Sequence, residues 1–161
     1  MSIPLYEDQL FSGDDYREKV LPIGEYENCC FVDCNFEHGS LKNCKFITCT
    51  FTNCNISLAN IENCMFQNVD FVDCKMLGLL YETCNPFNFS VSFKGCKLNH
   101  SSFYKVRLKK ITFLTCDLSE TDLEQADLSE AKLDMCKLNG AKFYRTNLAK
   151  ADLRTAQGFE I

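Results

Sequence analysis

The sequence has no stretch approaching the roughly 20 consecutive apolar residues that a membrane helix requires. Its N-terminus lacks a basic segment followed by an apolar run. These absences predict a soluble, non-secreted chain in the cytoplasm that does not engage a membrane. A net positive charge is also lacking. The net charge is −5, which argues against direct nucleic-acid binding, because general nucleic-acid binders are basic. There is no Cys-x-x-Cys pair, no phosphate loop and no clustered metal-binding motif, so neither a metal nor a cofactor is expected. Helical and plain strand periodicities are missing too, since apolar residues recur neither every 3.6 nor every second position.

What is present is a beat of five. The stretch Cys44-Lys-Phe-Ile-Thr-Cys-Thr-Phe-Thr-Asn-Cys54 sets a small sulfur residue at every fifth position and a Phe two residues later. Taking that apolar residue as the centre of each five, one register runs from Tyr6 through Phe31, Phe46, Phe51 and Phe71 to Tyr81. A second runs from Phe93 through Phe103, Phe113 and Leu128 to Leu153. Tyr81 and Phe93 are twelve residues apart, so the register slips by two. The slip lies in Asn85-Pro86-Phe87-Asn88-Phe89-Ser90, a stretch of turn formers.

Eleven of the twelve cysteines occupy the small position two before a centre, where Ala, Ser, Thr and Gly also occur. Only Cys30 does not. Asn, Asp and Gly recur two after the centre, as at Asp33, Asn43, Asn53, Asn63, Asp73, Gly95 and Gly140, which corners would favour. Short extended pieces joined by regular corners produce such a period, and fixed-period repeats generally build solenoids whose units bury their apolar sides on their neighbours. One domain is expected at this length. Before Cys29 the small position is held by Gln9, Asp14 and Lys19. Residues 1–25 therefore read as a degenerate start or cap, residues 26–157 as the repeat region with its slip at 85–90, and residues 158–161 as the start of a missing or very short C-terminal cap.

Ala126-Asp127-Leu128-Ser129-Glu130 and Ala151-Asp152-Leu153-Arg154-Thr155 match an Ala-(Asp/Asn)-Leu-x-x signature. In these residues, and in the register around them, the chain resembles the pentapeptide-repeat family. The resemblance implies an all-β fold, a right-handed quadrilateral β-helix with centre and small residues inward and the other three positions outward. About seven coils would form a rod of roughly 35 Å. Residues about twenty apart would stack, and Phe11, Phe31, Phe51, Phe71, Phe93 and Phe113 would form a ladder at roughly 4.8 Å spacing.

In such a stack the cysteines become core filler: their spacing is that of the repeat, and parallel Cβ atoms roughly 4.8 Å apart are poorly placed for a disulfide. Cys30, one before its centre, is the candidate exposed thiol. His38 and His100 would lie three coils apart, roughly 14 Å, too far to act together. A convex rod is also expected to lack a cleft, and no enzyme is anticipated. The charge pattern is more informative. Asp117, Glu120, Asp122, Glu124, Asp127, Glu130 and Asp134 crowd seven acids into about one coil, opposed by Lys132 alone. Lys105, Arg107, Lys109 and Lys110 precede them as a basic band. These acids are either a solvated surface balanced by neighbouring charge or a collar that docks on a basic protein surface.

Two functions stay open. The resemblance to quinolone-resistance, Qnr-type members of the family implies a DNA mimic that binds a type II topoisomerase, DNA gyrase or topoisomerase IV, and protects against quinolones. A duplex of roughly 35 Å, however, carries about twenty charges. The alternative is a structural scaffold for another bacterial protein partner. The ending Ala156-Gln157-Gly158-Phe159-Glu160-Ile161 stops just after the last good repeat, and an end-to-end homodimer through this C-terminal coil is a further expectation.

Overall fold

The structure is a computed structural model and describes residues 2–160. It is an all-β parallel solenoid with four faces. The strands, numbered along the chain, lie on two of them. The first face carries β1 (Leu5–Glu7), β3 (Glu25–Glu27), β5 (Lys45–Ile47) and β7 (Met65–Gln67). The second carries β2 (Leu10–Ser12), β4 (Cys30–Val32), β6 (Thr50–Thr52), β8 (Val69–Val72), β9 (Val91–Lys94), β10 (Thr112–Leu114) and β11 (Lys132–Asp134). Isolated parallel bridges build the third face, from Asp15 through Asn55 and Asp117 to Gln157, and the fourth, from Ser40 to Asn60 and from Leu80 to Lys142. The seven strands of the second face span six turns, and the bridge from Lys132 to Asp152 continues that column. The coil count thus lies within one of the expected seven. Among the described residues no helix is long and apolar enough to cross a membrane.

The five-residue unit has a simple physical logic. The residue before the centre donates its N–H to the previous coil, as Asn55 does to the Cys34 carbonyl at 3.0 Å. Where the backbone is not a strand, the centre donates to the next coil, as Ile56 does to Lys75 at 2.8 Å. Two residues after the centre the chain turns with positive φ, for example at Asn53 (51°) and Asn63 (55°). Asn and Asp tolerate this conformation better than other side chains that carry a Cβ. They also stack: Asn53 donates to Asp33 at 2.8 Å and Asn63 to Asn43 at 2.9 Å. After the slip several such corners pass to other residues, among them Lys105 (φ 61°) and Glu130 (φ 59°).

The Phe ladder forms as expected. Ring centroids are 4.7 Å apart from Phe11 to Phe31, 4.6 Å to Phe51, 5.1 Å to Phe71, and 5.3 Å to Phe93 and again to Phe113. The column crosses the slip intact, because Phe71 pairs with Phe93 in register.

The cysteine columns contain a feature that spacing alone does not reveal. Nine of the eleven inward thiols point at the carbonyl of the centre one coil earlier; Cys44 reaches Pro22 instead and Cys116 reaches Leu114. Cys54 donates to Phe31 at 3.4 Å, Cys74 to Phe51 at 3.3 Å, Cys96 to Phe71 at 3.3 Å and Cys49 to Tyr26 at 3.1 Å. The Thr146 hydroxyl does the same to Leu123 at 2.7 Å. A thiol is small, apolar enough for the core, and still a weak donor. This gives Cys an advantage over Ala at these positions. All twelve cysteines are free.

The register slip breaks one face only. Asn85 and Ser90 still donate to the previous coil, at Cys64 (2.8 Å) and Phe66 (2.9 Å). The Asn85 side chain accepts the Phe87 N–H at 2.9 Å, and the Pro86 carbonyl accepts from Phe89 at 3.3 Å. This compact turn leaves the first face without a strand in that coil. Phe87 is turned outward and 63% exposed, while Phe89 is half-buried against the core. Larger residues occupy small positions nearby: Val69, Leu79 and Ile111 are buried, and Val106 is half-buried against them. They refill volume that a missing inward centre would vacate.

Candidate interaction surface

The acidic collar is distributed around the rod. Asp117 lies on the third face between Lys97 and Lys137, Asp122 on the fourth between Ser102 and Lys142, and Asp127 on the first between Arg107 and Asn147. Asp134 ends β11 on the second face. Three of these acids close turns: Asp117, Asp122 and Asp127 accept the N–H groups of Ser119 (3.0 Å), Glu124 (2.9 Å) and Ser129 (2.9 Å). The Ser129 hydroxyl and N–H hold the Asp127 carboxyl below the ordinary carboxylate range, with Arg107 and Lys109 helping. Burial opposes ionisation of Asp117, but hydrogen bonds from Ser119 and Asn99 and the charge of Lys137 outweigh it, and its pKa is lowered. Glu130 meets Lys109 at 3.9 Å. Glu120 is exposed at a corner and Glu124 is half-buried.

The surroundings are equally ordered. Residues 75–112 carry seven Lys or Arg and one acid, Glu82. Residues 137–150 carry Lys137, Lys142, Arg145 and Lys150 and no acid. Charge therefore alternates in bands along the axis, with the collar between two basic belts. His38 and His100 are both corner residues at positive φ, separated by the coils between them. Among the described residues no group of three or more His, Cys, Asp or Glu is placed to hold a metal ion.

Cys30 is exposed, while the other eleven cysteines are buried. Burial pushes the Cys34 thiol up to about 11 and those of Cys49 and Cys84 to about 12. Thiolate is the reactive species. A thiol-titrating disulfide reagent at pH 8 is therefore expected to label one cysteine of the twelve in the native protein and all of them in denaturant. Rapid native labelling of several would contradict the buried columns.

The expectation of a rod without a cleft is corrected by the structure. A cavity of about 660 Å³ opens beside the slip, lined by residues 81–89 on one side and 104–109 on the other. A smaller one of about 280 Å³ shares Phe89, Arg107 and Lys109 with it. The first face loses a strand at the slip, and the recess opens there. The outsized residues at 69, 79, 106 and 111 were the available signal.

Profiles of known families match two parts of the chain. A pentapeptide repeat region matches residues 88–157, and pentapeptide repeats in nine copies match residues 31–75. The chain belongs to the pentapeptide-repeat family. Comparison with curated proteins finds no match. Among solved structures, this pentapeptide-repeat protein is similar to a trypsin-treated form of QnrB1, described as a plasmid-mediated fluoroquinolone resistance protein. The identity is 19%, with 97% of this chain and 85% of that chain covered and a TM-score of 0.45. HetL, involved in heterocyst differentiation regulation in the cyanobacterium Nostoc, is 15% identical over 97% of this chain and 87% of its own, with a TM-score of 0.41. Rfr23 of the cyanobacterium Cyanothece is 10% identical over 94% and 86%, with a TM-score of 0.37.

Proposed function

We propose that this pentapeptide-repeat protein is a non-enzymatic interaction rod that binds a protein partner through its charged outer faces. The observation that carries this reading is the axial banding of charge. The acidic collar of Asp117, Glu120, Asp122, Glu124, Asp127, Glu130 and Asp134 sits between basic belts on a regularly hydrogen-bonded ladder. A rigid surface with alternating charge favours a partner of complementary banding and disfavours others.

A more specific form of the reading is a DNA mimic whose collar docks on a type II topoisomerase such as DNA gyrase. The rod shape and the presence of a collar Asp on each of the four faces favour it. The depth of the collar opposes it. A duplex presents unbroken negative charge at about one unit per 1.7 Å, whereas Lys97 and Lys137 interrupt the third-face column on either side of Asp117. The scaffold reading, with another bacterial protein as partner, is therefore the better supported of the two.

A supercoiling assay with purified gyrase, with and without a quinolone, separates them. The scaffold reading expects no change in supercoiling and no relief of quinolone poisoning at micromolar protein. Inhibition or relief that disappears when Asp117, Asp122 and Glu124 are changed to Lys would establish the mimic instead.

A further inference from the structure

We propose that the cleft at the register slip is a binding site for a nucleoside monophosphate. Small-molecule sites typically enclose about 300–1,000 Å³, and the larger cavity, at about 660 Å³, falls within that range. Its lining combines the two chemistries that such a ligand presents.

The first is positive charge. Lys105, Arg107 and Lys109 line the cavity against a single acid, Glu82. Lys105 and Arg107 form no ion pair among the described residues, and Lys109 has only the 3.9 Å contact with Glu130. The net lining charge of about +2 matches a phosphomonoester, which carries about −1.5 to −2 at neutral pH. Arg107 adds a backbone donor. In the next two coils, Asp127 and Asn147 at the same place donate to Val106 and Ala126 at 3.0 Å each. The Arg107 N–H has no acceptor among the described residues, because the turn at the slip removes the strand that would supply one. A backbone N–H beside a guanidinium is a suitable donor set for a phosphate oxygen. Arg107 and Lys109 also line the smaller cavity, so the cations stand where the two lobes join.

The second is aromatic surface. Phe89 and Tyr104 line the larger lobe, both half-buried, with Val106 beside them. Tyr104 is held from the next coil, where Gln125 donates to its hydroxyl at 3.4 Å, and the Lys105 ammonium lies 5.3 Å from its ring centroid. An aromatic face stacks any base, because every base has a π-face. The floor is fixed. Tyr81 is buried and stacked on Phe103 at 4.3 Å, and the Asn85 cap holds the opposite wall. A site already shaped in this way loses little to ordering when a ligand enters.

The proposal does not depend on the partner-binding reading and is tested apart from it. Isothermal titration of the full chain with AMP, GMP, CMP and UMP is expected to give saturable binding of at least one at millimolar concentration or below. The matching nucleoside and inorganic phosphate should each bind at least about tenfold more weakly, since each lacks one of the two contacts. Arg107→Ala and Tyr104→Ala are each expected to weaken the nucleotide about tenfold or more while leaving the thermal melt in place. Lys137→Ala, a cation outside the cleft, should leave affinity unchanged. Failure of all four nucleotides to saturate overturns the proposal, and so does binding that Arg107→Ala does not weaken.

Discussion

Phe51→Ala is expected to destabilise the protein by about 3–5 kcal/mol, the cost of truncating a buried aromatic residue. Phe51 is 0% exposed. Its ring stacks on Phe31 at 4.6 Å and Phe71 at 5.1 Å and meets Phe46 edge-on at 5.3 Å. Removing it opens a void in the middle coils, where both neighbours rest on it. A solenoid is stabilised by nearest-neighbour contacts, so the loss falls on two interfaces at once. The melting temperature should fall by roughly 10 °C, at about 2–4 °C per kcal/mol for a chain of this size. Phe51→Leu should recover most of the loss. The same column continues into Leu133, which is itself fully buried, and stacking between rings adds only about 0.5–1.5 kcal/mol beyond area burial. Phe87→Ala is the control: Phe87 is 63% exposed in the slip turn and should change stability by less than about 0.5 kcal/mol. Urea denaturation of the three variants decides the matter. A loss below about 1 kcal/mol for Phe51→Ala would mean that the ladder contributes little.

The Phe column was legible because each rung has nearly the same surroundings, so a residue's place in the five determines where its side chain points. Inward cysteines follow for the same reason. Their hydrogen bonds do not, because the path from Cys74 Sγ to the Phe51 carbonyl depends on how coils are offset along the axis. The collar was legible as a cluster of acids, but its environment is set by residues about twenty positions away. Lys97 and Lys137 flank Asp117, and the repeat length alone would have placed them there. The cleft was the least legible feature. A two-residue slip reads as a small insertion, yet Pro86 has no N–H to donate, Asn85 turns its side chain onto Phe87, and a strand of the first face is lost. Loss of backbone pairing in one coil leaves little trace in the period of the next.

Ser101→Ala is expected to cost about 2–4 kcal/mol, well above the usual effect of removing one hydroxyl, because two buried backbone groups would lose their partners. In neighbouring coils of the fourth face, the small-position N–H closes its turn on the centre three residues back. Gly39 bonds Phe36 at 2.7 Å, Ala59 bonds Ile56 at 3.2 Å, and Thr121 bonds Leu118 at 3.2 Å. The coil of Met76 to Leu79 does not close this way. Leu79 donates instead to the Ser101 hydroxyl at 3.1 Å, and that hydroxyl donates to the Met76 carbonyl at 3.0 Å. The serine of the following coil therefore bridges the turn. From Gly39 onward, Leu79 is the bulky member of a column that otherwise holds Gly39, Ala59, Ser101, Thr121 and Ala141, and a turn opened around it needs such a bridge. Ser101 is 1% exposed, so water is poorly placed to replace it. Ser101→Cys keeps a donor and a weak acceptor and should recover part of the loss. Leu79→Ala in the Ser101→Ala background should cost less than the two single losses added together, since the turn could then close on itself. Chemical denaturation of all four variants provides the cycle. Strict additivity would show that the serine and the leucine act independently and that the bridge does not answer the bulk of Leu79.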